Sequence, residues 1–190
     1  MQFNPEQFYH FYNIGNNKTK IFFCRENYLF FLRKVRIFML PYCDIFSWCL
    51  MPNHFHFFIN TYENLIDNVL NKKIGTMLSS YTRAINIQEG RTGSLFREHS
   101  KAKPLDIGTT TDEYPFICFN YIHQNPMKAG LVKKMEDWEF SSFKDYIGSR
   151  NGTLVNQSFA KELLDLPNDK KDFYEMSYKI IGDDNIKGIF

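Results

Sequence analysis

Apolar residues along the chain switch between strand-like and helix-like spacing, and the switches lay out a succession of elements. Residues 6–14, EQFYHFYNI, are aromatic-rich and run into Gly15-Asn16-Asn17, a turn signal, so they predict a first strand. From Arg25 the apolar positions Tyr28, Phe31, Leu32, Val35 and Met39 recur at helical spacing, and Pro41 ends that helix. Residues 43–60 read as two strands, CDIFSWCLM and HFHFFIN, joined around Pro52-Asn53, because proline cannot donate to a strand ladder. A long helix over about 64–88 carries Leu70, Ile74, Leu78, Tyr81 and Ile85 on one stripe. The Gly90–Gly93 loop leads to a fourth strand near 98–105. A third helix starts near Pro115, a favoured first-turn residue, and meets Pro126.

The order β-α-β-β-α-β-α fits split β-α-β units. It predicts the α+β class, as a two-layer ferredoxin-like or RRM-like fold with a four-stranded antiparallel sheet and helices packed on one face. A chain of 190 residues suits one domain, read here as 1–150. Residues 151–190 turn polar and acidic: a short helical appendage, a flexible tail, or a segment folded back on the body. No apolar run approaches the roughly 20 residues of a membrane helix, and MQFNPEQFYHFY lacks the features of a secretory signal. The expected location is therefore cytoplasmic, with no membrane partner. Cys24, Cys43, Cys49 and Cys118 form no CxxC pair, which favours reduced thiols over disulfides or a zinc site.

Net charge is only +2, so bulk electrostatics do not single out a nucleic-acid partner. Its distribution is uneven. Residues 161–190 hold five Lys against seven Asp and Glu, leaving the excess positive charge on the body. There, Arg25, Arg33, Lys34 and Arg36 form one cluster, and Arg91, Arg97, Lys101 and Lys103 another. Either can track a phosphate backbone or serve as a solvated face.

Candidate chemistry begins with Trp48–Ile59, WCLMPNHFHFFI, which places His54 and His56 two apart in an apolar run. On a strand these residues share a face, with Cα atoms roughly 6.5–7 Å apart, so two imidazoles can share one ion. Phe55, Phe57 and Ile59 then face a core. On the third helix Tyr121 and Asn125 are four apart and share a face. An amide oxygen is a hard-cation ligand and a phenol a nucleophile. Two imidazoles with one amide leave coordination positions open, which suits Mg or Mn better than a closed structural zinc. Each element alone is compatible with an ordinary structural role. Tyr114, a rival nucleophile, lacks a partner four residues on; His10, His99 and His123 read as ordinary surface or strand residues.

The pairing of WCLMPNHFHFFI with YIHQNPMKAGLV further on resembles the REP-associated tyrosine transposases, single-tyrosine members of the HUH (His-hydrophobic-His) group. YHFYNIGNN, RENYLFFL, GSLFREHSKAKPL and WEFSSFKDY extend the resemblance over most of 6–146. It implies metal-dependent cleavage and rejoining of single-stranded DNA, in transposition or in processing of hairpin-bearing repeats. His54, His56 and Asn125 would be metal ligands, and Tyr121 the nucleophile of a 5′-phosphotyrosine intermediate. The implied partner is hairpin-bearing single-stranded DNA, the implied location nucleoid-associated, and the assembly either a monomer with the site formed in cis or a homodimer that swaps the tyrosine helix. Lys128, where relatives often have Arg, joins the DNA-contacting candidates. Two other readings stay open: a domesticated regulator that binds hairpin DNA or RNA without moving it, and an RRM-like RNA-binding module without metal.

Overall fold

Phe11, Phe55 and Phe57 are fully buried on one face of a four-stranded antiparallel sheet. This computed structural model describes residues 1–105 and 113–179. Strands β1 (Phe8–Ile14), β2 (Cys43–Met51), β3 (His54–Thr61) and β4 (Lys101–Leu105) stand in the order β2-β3-β1-β4. Interleaved with them are α1 (Arg25–Phe38), α2 (Val69–Gln88) and α3 (Glu113–Lys128), so the α+β class and the expected element order are both present. Among the described residues Pro104 sits on an edge strand, β4, which pairs with β1 and where its missing N–H costs least.

Period-3.6 burial explains α1 and α2. Tyr28, Phe31 and Val35 of α1 and Leu70, Ile74, Met77, Tyr81 and Ile85 of α2 are buried. Phe31 anchors the layer, edge-on to Tyr81 at 5.0 Å between ring centroids and tilted on Phe55 at 5.2 Å. The Asn27 side chain accepts from the N–H groups of Phe23 and Cys24, fixing the start of α1. The second helix begins at Val69 rather than 64, because Asn68 adopts a left-handed conformation (φ 61°) that turns the chain just before it. Met77, not Leu78, completes its buried stripe.

Helix placement is two-sided rather than one-sided. The α1–α2 pair covers the Phe55 face, while α3 lies across the other, against β2 and β3. That second face also carries apolar residues in need of cover: Cys49, Met51 and Phe58 are all buried. Pro126 does not stop α3, which continues to Lys128 before Gly130, at φ +70°, closes it. Asn125 therefore sits within the last turn, its carbonyl still accepting from Ala129 N–H at 2.9 Å.

Beyond α3 the chain supports it from behind. Phe119 and His123 pack into an aromatic cluster with Phe143 and Tyr146 of α4 (Phe143–Tyr146) and Phe173 of α6 (Lys170–Ser177). Gln124 donates to the carbonyls of Ser177 and Lys179. Helix α5 (Gln157–Leu163) docks on β2 through Phe159 against Phe46, next to an Asn156 N–H bond to the Ile45 carbonyl. Residues 151–179 thus fold back on the body; 180–190, the rest of the expected appendage, lie outside the described residues. Among the described residues, no helix is long and apolar enough to cross a membrane.

The tyrosine-rich core makes the fold alkali-sensitive. Burial pushes the Tyr28 phenol up to about 12 and raises Tyr81 and Tyr146 strongly. Below pH 10 these phenols are neutral in both folded and unfolded chains. Above it the unfolded chain ionises first and binds fewer protons, so stability falls as pH rises. We expect the melting temperature to drop steeply between pH 10 and 12, and Tyr28→Phe to lessen that drop; circular-dichroism melts across this range measure both.

Candidate active site

Strand β3 presents the histidine pair to the face that α3 covers. His56 lies opposite Tyr12 of β1 and Cys49 of β2, and His54 opposite Ile14 and Met51. Their ring centroids are 5.0 Å apart and nearly perpendicular (83°). The alternation read from the sequence holds: Phe55 and Phe57 point into the core, His54 and His56 away from it. His54 is half-buried, its Nδ1 2.7 Å from Asn53 Oδ1, while His56 is 2% exposed, its Nδ1 2.8 Å from His10 Nε2. Burial lowers the pKa of His54, opposed by a contact with the Asn125 amide. Burial, with His10 and His54 close by, holds His56 well below the usual imidazole value. Both rings are therefore neutral at pH 7, the form in which imidazole binds a metal ion.

Helix α3 brings Tyr121 to the same spot. Its ring centroid is 5.8 Å from that of His56, at 85°. Burial is the main cause that pushes its phenol up to about 12, and the Asn125 contact pulls the other way. Asn125, buried and one turn on, thus touches both His54 and Tyr121. Lys128 Nζ stands 5.8 Å over the Tyr121 ring. His123 is turned about 200° around the helix from Tyr121, fully buried, bonded to Ser142 Oγ at 2.7 Å and pushed down to about 3. It is neither a surface residue nor within reach of the phenol as a base.

Imidazole and amide side chains are the donor types that could hold a divalent ion here. Among the described residues no three His, Cys, Asp or Glu side chains cluster for a closed site. Two neutral imidazoles with a neutral amide leave positions for phosphate oxygens and keep the ion's positive charge uncompensated by protein.

The basic candidates divide by location. Lys101 and Lys103 lie opposite Tyr12 and His10 on β4, on the histidine face, with Lys103 Nζ 5.3 Å over the Tyr114 ring. With Lys128 they flank the site. Arg91 and Arg97 line a groove of 1160 Å³ between α2 and the segment leading to β4, together with Arg83 and Asn86. The α1 cluster lies on the opposite face of the sheet and is engaged internally: Arg25 with Glu139, Lys34 with Ser80 Oγ, Arg36 with Thr153, and Arg33 over the Phe30 ring. Two residues at the site lacked a sequence signal of their own. His10 is fully buried beside His56, and Tyr12 stacks on His10 at 4.7 Å and lies 5.6 Å from His56. The His10-x-Tyr12 spacing on a predicted strand was the available hint, but it does not say which strand pairs alongside.

No protein-family model matches the chain. A Haemophilus influenzae protein whose name assigns it to the REP-associated tyrosine transposases is 28% identical over 108 residues, covering 50% of this chain and 56% of that relative. The match thus spans little more than half the relative's length. A solved structure, that of a REP-associated tyrosine transposase bound to a REP hairpin, superimposes with a TM-score of 0.61 at 20% identity, covering 95% of this chain and 96% of that one. The sequence relative carries the family name that the paired motifs resemble, and the solved structure shows that this chain shares the fold of that protein.

Proposed function

We propose that the chain cleaves and rejoins hairpin-bearing single-stranded DNA in a metal-dependent reaction that passes through a 5′-phosphotyrosine on Tyr121. One observation carries this reading: two imidazoles from β3 meet a phenol and an amide from α3 on one face of the sheet, with Tyr121 5.8 Å from His56 between ring centroids. The comparisons support transposase-like, hairpin-related chemistry, since the fold neighbour was solved on a REP hairpin.

His54, His56 and Asn125 would hold a divalent ion such as Mg or Mn. A bound divalent ion supplies Lewis-acid polarisation of a nonbridging oxygen on the scissile phosphate. In this reading the Tyr121 oxygen attacks phosphorus. The new Oη–P bond forms as the P–O3′ bond breaks; the phenol proton passes to solvent, and solvent protonates the departing oxygen to a 3′-OH. The tyrosyl ester retains the phosphodiester it replaces, so a 3′-OH from a second strand reverses the step and restores the phenol. Lys101, Lys103 and Lys128 flank this face and neutralise neighbouring phosphates. Single-stranded substrate suits the site because its unpaired bases can stack on aromatic rings, with Tyr12 nearest the metal-binding pair.

The test is incubation of the protein with hairpin-bearing single-stranded DNA and Mn. We expect a denaturation-resistant protein–DNA adduct that disappears when EDTA is present. Binding of the hairpin without any adduct would replace this reading with that of a non-cleaving regulator.

A further inference from the structure

We infer that His10 is a positioning residue that accepts the Nδ1 proton of His56 and so keeps the His56 Nε2 lone pair directed at the ion. This inference rests on the proposed metal-dependent reaction and assigns a role within the same site. His10 and His56 are diagonal neighbours across β1 and β3, since His10 pairs with Phe58 and Tyr12 with His56. Their rings stack at 5.0 Å and 19°, and His10 Nε2 lies 2.8 Å from His56 Nδ1, with both side chains buried from water.

Two nitrogens at that distance share one proton, and only two arrangements exist. If His10 Nε2 carries it, neutral His56 is protonated at Nε2 and has no lone pair there to give. If His56 Nδ1 carries it, His10 accepts and His56 Nε2 is a ligand. His54 shows which arrangement the site is built around. Its Nδ1 faces Asn53 Oδ1 at 2.7 Å, an atom that only accepts, while Asn53 Nδ2 donates to the Lys18 carbonyl at 3.3 Å and so fixes the amide's orientation. His54 is thereby favoured as the Nδ1–H tautomer, its Nε2 on the side of the Asn125 amide. His10 does for the buried histidine what Asn53 does for the one at the rim. Both ligands then present the same nitrogen, as metal-bound histidines do when their second ring nitrogen is hydrogen-bonded. The stack of Tyr12 on His10 holds the accepting ring in plane.

Nitrogen-15 NMR of the histidine rings in the metal-free wild-type protein reads the tautomer directly, without DNA or turnover. We expect His56 to be protonated at Nδ1. Calorimetric titration with Mn should then show His10→Phe binding the ion about 10–100-fold more weakly than wild type, with a loss of the Nδ1–H signature. His10→Gln, whose amide oxygen can accept the same proton, should restore both. A His56 protonated at Nε2 in the wild type, or unchanged Mn affinity in His10→Phe, would overturn the inference. Should His10→Phe fail to fold, the wild-type spectrum and the His10→Gln titration still decide it. Adduct formation by the wild type is scored separately, so the reaction can fail while the tautomer result stands, and the reverse.

Discussion

Replacing Tyr121 with Phe should abolish the covalent protein–DNA adduct, a loss on the order of a thousandfold or more in rate, as removal of a nucleophile gives in other enzymes. Hairpin affinity should stay within about twofold. The substitution removes one oxygen and keeps the ring that packs against His56 and beneath Lys128, so the fold and the neighbouring ligands persist. A single hydroxyl contributes only about 0.5–1.5 kcal/mol to stability when it is hydrogen-bonded. Tyr12→Phe and Tyr114→Phe are the informative controls. Tyr12 is near the same histidine, and Tyr114 lies in the first turn of the same helix. Both variants should still form adduct, measured by band shift on denaturing gels.

The second large effect concerns the imidazoles. Loss of either ligand should lower Mn-dependent adduct formation by more than about 100-fold, exceeding the 10–100-fold typical of outer-sphere partners. His54→Ala is the cleaner variant because His54 is half-buried at the rim. His56→Ala also strips His10 of its buried partner, which adds a structural cost of about 1–3 kcal/mol. Calorimetric titration with Mn, alongside adduct yield at saturating DNA, separates lost ion binding from lost folding. Wild-type ion affinity in His54→Ala would remove His54 from the ligand set.

Much of this arrangement was legible in the sequence where a local period determines the outcome. Alternation in HFHFFIN forces His54 and His56 to one side and Phe55 and Phe57 to the other, whatever the strand pairs with. Helical spacing likewise fixed the buried stripe of α1 and the shared face of Tyr121 and Asn125. What the residues alone do not specify is non-local. The pairing of β1 with β3 in the register Tyr12 to His56 is what makes His10 a neighbour of the site, and nothing within YHFYNIG reports that register. Helix α3 could not be assigned a face from its own sequence; the apolar Cys49, Met51 and Phe58 on the second side of the sheet drew it there.

Charge clusters were the least informative feature. The dense run on α1 is spent on contacts with Glu139, Ser80 and Thr153, far from the histidines. Lys101 and Lys103, only two charges on a short edge strand, face the site because strand alternation places them beside Tyr12 and His10. Similarly, the polar composition of 151–179 concealed Phe159 and Phe173, two aromatic anchors that seat the segment on β2 and α3.

The most direct measurement is to digest the adduct formed by the wild-type protein with hairpin-bearing single-stranded DNA and Mn, and to locate the nucleotide on the peptides by mass spectrometry. The account requires a single 5′-phosphate ester on Tyr121. An ester on Tyr12 or Tyr114, or an adduct formed equally well in EDTA, would contradict it.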